Sequence, residues 1–323
     1  MPRWSIRRSL FGVAGLLLVL LGVFGTRAWQ VDSRQVDTEP VQVRVASDAP
    51  QRLARALQIR TVTNRRPAQL DSSAYRALYR QFATAFPRVH ARLDTTHVNG
   101  LSRLYTWTGR DTTLAPLVLM AHVDVVPVED SSQWRHPPFG GRIADGHIWG
   151  RGALDDKSSA VGILEALETL LRRGAHPRRT VHVALGHDEE VGGSRGGRAL
   201  AERITANGVS PALVVDEGGA TTGGARPGLD RPLAVVGIAE KGYLSIQLHT
   251  EAPGGHSSAP PDSTSIELLN AALGRLLDNP LPSRLDGVTG RMLDYVAPEM
   301  GLPMRPALAN RWLTAPGIRR ALN

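Results

Sequence analysis

Three short apolar runs in the middle of the chain are each closely followed by acidic residues or histidine. The runs are Leu117–Met120, Thr180–Leu185 and Ala212–Val215, and each has the length and composition of a buried strand. Two amphipathic segments, residues 158–174 and 192–208, separate them and predict helices. This alternation predicts an α/β sheet covered by helices. Ligands of such sheets bind beyond the carboxyl ends of the strands, which is where these polar groups fall.

Composition narrows the chemistry that these strand ends can perform. The chain has no cysteine, so disulfides and thiol nucleophiles are excluded, and a bound metal must be held by His, Asp or Glu. The formal net charge of +8 comes from arginines scattered along 323 residues. Because no basic block with interleaved aromatic residues is present, nucleic acid is not an expected partner.

The sequence pattern differs on either side of this α/β region. Upstream, the spacing of apolar residues predicts a helix over Ala74–Phe86. Downstream, residues 243–249 alternate between apolar and polar side chains and predict a half-exposed strand of a second, antiparallel sheet. Residues 263–279 then predict an amphipathic helix, and the remaining residues show no convincing closing strand. A second domain is therefore expected from about residue 237 onward.

The N-terminus has a basic start followed by the apolar stretch Leu10–Gly25, which predicts an export signal or a membrane anchor over residues 1–28. No clean small-x-small cleavage site follows, and this favours an uncleaved anchor over a cleaved signal, with a buried core helix as the third interpretation. Residues 29–52 are polar and predict a tether. Because a basic flank stays in the cytoplasm, the rest of the chain is expected on the periplasmic or extracellular side, and secreted if the segment is cleaved.

His122 and Asp124 follow the first apolar run, two residues apart. Side chains at this spacing on a strand share a face, so Asp124 can reach the imidazole of His122. A metal-bound histidine commonly donates its other ring N–H to a carboxylate. A short His-x-Asp match is a weak signal, however, and a polar strand end with an incidental ion pair explains it equally well.

The other acidic clusters have simple structural explanations when each is taken alone. Asp155 and Asp156 lie in a glycine-rich turn before a helix, where Asp ordinarily caps the helix and Lys157 could add a salt bridge. The acids of residues 188–190 and 216–217 could belong to solvated loops. The repetition favours another interpretation: His and several carboxylates that converge at one sheet edge indicate one or two divalent metals.

The order of these motifs resembles a known enzyme family. The motifs, spread over about residues 50–280, are HVDVVP, WRHPPFGGRIADGHIWGRGALDDKS, GHDEEVGG, DEGG and GGHSS. Together they resemble the ArgE/DapE/aminoacylase/carboxypeptidase S zinc metallopeptidases (peptidase family M20), and the carboxypeptidase S-like branch in particular. The resemblance implies a three-layer catalytic domain of the zinc-peptidase type, with a mixed or parallel sheet, and a smaller α+β lid domain. Residues 53–236 would be the first part of the catalytic domain and residues 237–323 part of the lid.

The resemblance also implies a set of metal ligands. In a site with two zinc ions, for which Co²⁺ or Mn²⁺ can substitute, His122 and Asp216 would bind one ion. Glu190 would bind the other ion, and Asp155 would bridge both. The peptide bond between Asp155 and Asp156 would be cis, as is typical of the family.

Three residues would carry the chemistry in the same resemblance. Glu189 would be the general base, and Asp124 would orient His122. His256, from the lid, would donate a hydrogen bond to the substrate carbonyl oxygen as negative charge develops there. Asp188 receives no role.

The implied reaction is hydrolysis of an amide bond next to a free carboxylate, in a peptide or an N-acyl amino acid.

The chain departs from the family pattern because no histidine follows His256, whereas family members carry a last metal-binding histidine near the C-terminus. A truncated chain with an incomplete lid and weak or no activity is therefore expected. Two alternatives stay open: a non-catalytic remnant that binds one metal, and a related dizinc aminopeptidase, against which GRGALDDK and GGHSS argue. The resemblance also leaves open a homodimer through the lid.

Overall fold

The computed structural model describes residues 3–66, 69–219, 221–222, 229, 232–240, 242–256, 258–259, 261–282 and 284–322. The chain forms two compact units. We call Pro40–Glu217 the sheet unit, and Met1–Glu39 with Gly218–Asn323 the helical unit. The domain boundaries expected from the sequence stay a prediction.

The helices and strands of the described residues have the following bounds in chain order. The helices are α1 (Arg3–Gln30), α2 (Ala49–Leu57), α3 (Ser72–Ala85), α4 (Pro87–Arg92), α5 (Lys157–Arg172), α6 (Gly197–Ile204), α7 (Ser265–Asp278), α8 (Gly287–Val296), α9 (Met304–Ala309) and α10 (Arg311–Leu322). The strands are β1 (Asp94–Val98), β2 (Ser102–Trp107), β3 (Leu117–His122), β4 (Arg142–Ala144), β5 (His147–Trp149), β6 (Val181–Gly186), β7 (Leu213–Val215), β8 (Thr221–Thr222) and β9 (Leu233–Ala234).

A five-stranded sheet, in the order β1-β2-β6-β3-β7, forms the centre of the sheet unit. β3 runs parallel to both β6 and β7, whereas β2 is antiparallel to β6 and to β1. The α/β fold with a mixed sheet is therefore confirmed. The three strands predicted from the apolar runs are present as β3, β6 and β7.

Helices cover both faces of this sheet. On one face, Val183 and Leu185 of β6 belong to a buried cluster with residues of α3 and α5. Ala184 lies between them, so its side chain points to the opposite face, where it packs with Leu200 and Ile204 of α6. The sheet unit is thus a three-layer structure, as the resemblance implies.

Two further strands of the five-stranded sheet, β1 and β2, are not predicted from the sequence. β2 is buried along nearly its whole length although it contains Ser102 and Arg103, so it lacks the alternation that marks a half-exposed strand. Arg103 is accommodated because its guanidinium lies 4.3 Å from the ring centre of Tyr79.

In the helical unit, the predicted helix is present as α7. A capping box starts it, in which Glu267 accepts from the Thr264 N–H and donates its own N–H to the Thr264 hydroxyl. The strand predicted over residues 243–249 is wrong, because this segment forms no strand and Tyr243 and Leu244 are exposed. Alternating apolar and polar side chains give a segment one apolar face, but a strand also needs a neighbouring strand with which to form hydrogen bonds. Among the described residues no strand pairs with this segment.

At the N-terminus, α1 is one continuous helix. Its segment Phe11–Gln30 is long and apolar enough to cross a membrane, with a mean hydropathy of 1.9, and is almost entirely exposed. Residues 31–46 have no regular secondary structure, as expected of a tether. The next helix, α2, begins at Ala49, with Pro50 in its first turn.

Candidate metal centre

The carboxyl ends of β3, β6 and β7 bring distant residues together. His122 ends β3, Glu189 and Glu190 follow β6, and Glu217 follows β7. The acidic pair before α5 reaches the same edge, because α5 is the crossover between the parallel strands β3 and β6. The predicted convergence at the sheet edge is therefore present.

His122 is the centre of this cluster and is only 3% exposed. Its Nδ1 lies 3.1 Å from the backbone oxygen of Asp124 and 3.3 Å from Asp124 Oδ1, so the N–H at Nδ1 donates to Asp124. Nε2 faces carboxylates, with Asp155 Oδ1 at 2.8 Å and Glu217 Oε2 at 3.4 Å. Burial opposes a charge on the ring, but Asp124, Glu217 and Asp155 outweigh it and raise the pKa of His122 to about 10.

Within the part of the chain that the structure describes, two groups of side chains place possible metal-binding atoms within 4.8 Å of one another. The first group is His122, Asp155 and Glu190, and the second is His122, Asp156 and Glu217. The peptide bond between the two aspartates is cis, as the resemblance implies. Three of the four expected metal ligands thus form one group.

The fourth expected ligand, Asp216, belongs to neither group. It is exposed, and its Oδ1 accepts the backbone N–H of Glu217 at 2.9 Å. Neighbouring side chains after a strand point in different directions, so only one of the two acids can face His122. In this structure that acid is Glu217, whereas the resemblance implies Asp216.

Besides orienting His122, Asp124 fixes the turn that carries Glu189 and Glu190. Its two carboxylate oxygens accept the backbone N–H groups of Glu189 and Glu190, each at 3.2 Å. Asp124 is fully buried, so these bonds fix the turn that carries the two glutamates. The carboxylate of Glu189, the expected general base, lies 3.8 Å from His122 Nε2.

Asp188, which has no role in the sequence analysis, has a structural one. Its side chain turns away from His122 and accepts the backbone N–H groups of Arg195 and Gly196, each at 2.8 Å. It therefore ties the acidic turn to the start of α6. The glycine is needed at position 196, since a Cβ there would collide with the Asp188 carboxylate and the Ser102 hydroxyl.

The residues before α5 do not form the capped, salt-bridged start that is the simple explanation of this motif. Asp156 precedes α5 but does not cap it, and instead accepts the His122 N–H at 3.2 Å. The Lys157 amine is buried and donates to the carbonyls of Ala56 (3.1 Å) and Ile59 (2.6 Å). Burial lowers the pKa of Lys157 to about 7. The turn is therefore fixed to the end of α2, with its aspartates directed at the site.

These side chains fit a divalent metal. Because Nδ1 donates to Asp124, Nε2 is the ring nitrogen of His122 that faces the carboxylates and would bind a metal after losing its proton. Burial and neighbouring carboxylates raise the pKa of Glu189 and Glu190, and raise that of Glu217 to about 7. A divalent cation would offset this repulsion, and an imidazole nitrogen with carboxylate oxygens is a donor set that zinc accepts.

His256 lies in the helical unit. It is exposed, and its Nδ1 is 2.9 Å from the Ser258 hydroxyl. Its expected role at the substrate carbonyl stays a prediction.

Comparison with solved structures returned human carnosine dipeptidase 1, at 18% identity over 56% of this chain and 40% of that one, with a TM-score of 0.45. It also returned an M20 family metallo-carboxypeptidase from Sulfolobus solfataricus, at 21% identity over 55% of this chain and 38% of that one, with a TM-score of 0.44.

Curated relatives are more similar in sequence. An N-fatty-acyl-amino acid synthase/hydrolase of Xenopus tropicalis is 39% identical over 83% of this chain and 52% of its own length. A probable carboxypeptidase S-like protein of Dictyostelium discoideum is 38% identical over 84% of this chain and 53% of its own length. Carboxypeptidase S of Saccharomyces cerevisiae is 38% identical over 71% of this chain and 41% of its own length. The chain thus spans about half the length of such relatives.

A family model also matches the chain. The model for peptidase family M20/M25/M40 matches residues 118–298. The match begins in β3 and includes His122, both acidic clusters before and after α5, and the glutamate that follows β7. The chain belongs to peptidase family M20/M25/M40.

Proposed function

We propose that this chain is a metal-dependent hydrolase that cleaves an amide bond next to a free carboxylate, in a peptide or an N-acyl amino acid. The observation that carries the proposal is the convergence of His122 Nε2 with carboxylates from three separate segments of the sheet unit. Family membership supports it. The names of the relatives support the substrate class, since they are carboxypeptidases and an N-fatty-acyl-amino acid hydrolase.

The proposed site holds two zinc ions. His122 Nε2 would hold the first ion and Glu190 the second, and Asp155 has two carboxylate oxygens with which to bridge them. The remaining ligand of the first ion is Asp216 by resemblance or Glu217 by distance. Asp216→Asn and Glu217→Gln distinguish these assignments: the variant of the true ligand binds less zinc per chain, and the other retains the wild-type content.

A divalent metal bound there would polarise the amide carbonyl and lower the pKa of a water molecule. Glu189, whose pKa is raised by burial and neighbouring carboxylates, takes the proton of the attacking water and passes it to the leaving amine. Asp124 keeps the imidazole of His122 and the turn that carries Glu189 in place. His256 would donate to the carbonyl oxygen as negative charge develops.

The test measures hydrolysis by the zinc-loaded chain. Its substrates are a dipeptide, N-acyl amino acids with short and long acyl groups, and the same compounds with the carboxylate amidated. The proposal predicts weak but measurable turnover of at least one free acid, less of its amide, and loss of turnover in Glu189→Gln with unchanged zinc content. The exposed Glu129→Gln is the matched control. Equal activity of Glu189→Gln and wild type would overturn the proposed base.

A metal-binding module without turnover is the second candidate. The observation that favours it is that one imidazole, His122, serves both groups of metal-binding side chains found among the described residues. A single imidazole nitrogen binds one ion, so the second ion would rest on carboxylates. One zinc per chain and no hydrolysis of any of these substrates would favour this candidate over the enzyme.

The proposed location follows from α1. Its apolar segment would cross the membrane as an uncleaved anchor, and the sheet unit would face the periplasmic or extracellular side. If the segment is instead cleaved, the protein is secreted. The mass of the mature chain distinguishes the two, because cleavage removes the first residues. A homodimer through the lid, residues 237–323, is the remaining proposal, and sedimentation of the intact protein tests whether the protein is a dimer.

A further inference from the structure

Side chains near the C-terminus hold the end of α1. Arg305 donates from Nε to the Ala28 carbonyl at 2.8 Å and from Nη2 to the Val31 carbonyl at 2.9 Å. Asn310, which is fully buried, donates to the Phe24 carbonyl at 3.0 Å. The last carbonyls of a helix lack partners within it and carry partial negative charge, so an arginine there is doubly favourable. The end of α1 is therefore built into the helical unit.

Apolar packing strengthens this attachment. Val31, just beyond α1, packs on a buried cluster of Leu293, Ala297 and Leu308. These residues come from α8, the turn after it, and α9. We call residues 284–322, which comprise α8, α9 and α10, the C-terminal cap. The C-terminal cap and the end of α1 form one packed body within the helical unit.

The hydrogen bonds from Arg305 and Asn310 fix the position of the C-terminal cap along the axis of α1. Asn310, at the corner between α9 and α10, bonds to Phe24, which lies inside the apolar segment Phe11–Gln30. The corner is therefore level with the last turns of that segment. Trp312 and Leu313 follow the corner directly and are 57% and 52% exposed. Trp is the residue type enriched where a membrane meets water.

The charge of the C-terminal cap suits an anionic surface. Residues 284–322 contain six arginines and three acids. Arg311 pairs with Asp294, but α10 itself contains no acid, and Arg319 and Arg320 are exposed. Exposed arginines close to a bilayer are attracted to anionic lipid head groups wherever that leaflet contains them, and the attraction falls off within a Debye length.

We propose that the C-terminal cap lies on a lipid bilayer that contains anionic lipid, at the end of α1. Trp312 and Leu313 enter the interface between head groups and acyl chains, and Arg319 and Arg320 contact the head groups. The inference rests on the proposed anchoring by α1. It goes beyond that proposal, because an anchor alone does not require the C-terminal cap to contact lipid.

The chain has no cysteine, so single introduced cysteines can be spin-labelled one at a time. Leu313→Cys reports on the C-terminal cap, Leu17→Cys on the middle of α1, and the exposed Ser131→Cys on water-facing surface. The full chain is reconstituted in phosphatidylcholine vesicles containing phosphatidylglycerol. Power-saturation electron paramagnetic resonance then compares collisions of each label with oxygen, which concentrates in lipid, and with a water-soluble nickel chelate.

The expected result is that the labels at positions 17 and 313 collide mainly with oxygen, the latter at a shallower depth, whereas the label at 131 collides mainly with the chelate. A lipid-exposed label at 17 with a water-exposed label at 313 overturns the inference and leaves the anchor intact. A water-exposed label at 17 overturns both.

A charge reversal tests the head-group contact. In the Leu313→Cys background, Arg319→Glu with Arg320→Glu is expected to shift the label toward the chelate in anionic vesicles. The control pair, Arg172→Glu with Arg173→Glu, changes two exposed arginines of the sheet unit and is expected to have no effect. An unchanged depth at position 313 in the α10 variant would overturn the proposed head-group contact.

Discussion

At the scale of single residues, Asp124 connects the two halves of the site. Its carboxylate lies beside Nδ1 of His122 and also accepts the backbone N–H groups of Glu189 and Glu190. Because Asp124 is fully buried, water cannot readily replace these contacts when the carboxylate is removed. One side chain therefore sets both the direction of the imidazole and the position of the acidic turn.

This arrangement predicts that Asp124→Ala weakens zinc binding by about 10- to 100-fold, the usual effect of removing a group that orients a metal-binding histidine. Competition with a chromophoric chelator measures the affinity. Asp94→Ala, at an exposed carboxylate on β1, is the control and should bind zinc as the wild type does. Wild-type affinity in Asp124→Ala would contradict the role of this carboxylate.

The sequence predicts which segments reach the site, but it does not predict the direction of every side chain in them. His122, Asp155 and Glu190 lie together as the motifs predict. The inward direction of Asp156 and Glu217 was not predicted. Each belongs to a pair of adjacent acids, and the sequence does not show whether one member of such a pair or both face the metal site, because that depends on the backbone path after the strand or turn.

At the scale of elements, a glutamate of α5 holds α4 in place. Glu168 Oε2 accepts the N–H groups of Arg88 (2.9 Å) and Val89 (3.1 Å) in the first turn of α4. Its Oε1 accepts from the Arg88 guanidinium at 3.0 Å. The first N–H groups of a helix lack partners within it, so Glu168 serves as the cap that α4 does not carry itself.

Glu168→Ala should therefore lower the free energy of unfolding by about 1–3 kcal/mol, because two buried or half-buried N–H groups lose their acceptor. Urea unfolding followed by circular dichroism measures the change. The exposed Glu202→Ala on α6 should shift stability by no more than about 0.5 kcal/mol. Equal stability of the two variants would contradict the capping role.

His182 of β6 makes the stability of the sheet unit depend on pH. It is half-buried, its Nδ1 lies 3.1 Å from the Thr106 hydroxyl, and burial lowers its pKa below the ordinary value of 6.5. The unfolded chain therefore binds a proton at a higher pH than the folded chain does. Stability from this residue is lost as the pH falls from about 6.5 through the lowered pKa of the folded state.

His182→Gln should consequently lose less stability than the wild type between about pH 7 and about pH 5. Unfolding free energies measured across this range provide the comparison, with the exposed His176→Gln as the control. If the wild type and His182→Gln lose equal stability on acidification, His182 does not contribute to the pH dependence.

At the scale of the whole molecule, prediction was best where the chain is both apolar and periodic. β3, β6, β7 and the helices between them follow directly from such patterns. The strand expected over residues 243–249 is absent, because pairing depends on a partner elsewhere in the chain. The fixed position of the C-terminal cap on α1 could not be predicted either, since its hydrogen bonds join residues at opposite ends of the sequence.

The central claim is that His122 and the surrounding carboxylates form a divalent-metal centre, and calorimetric titration of zinc into the metal-free chain tests it most directly. The wild type is expected to bind two zinc ions tightly. His122→Ala, which removes the nitrogen shared by both groups of metal-binding side chains, should lose at least about 100-fold in affinity. The exposed His176→Ala should bind as the wild type does. Equal zinc affinity in His122→Ala and the wild type would contradict the metal centre described for this chain.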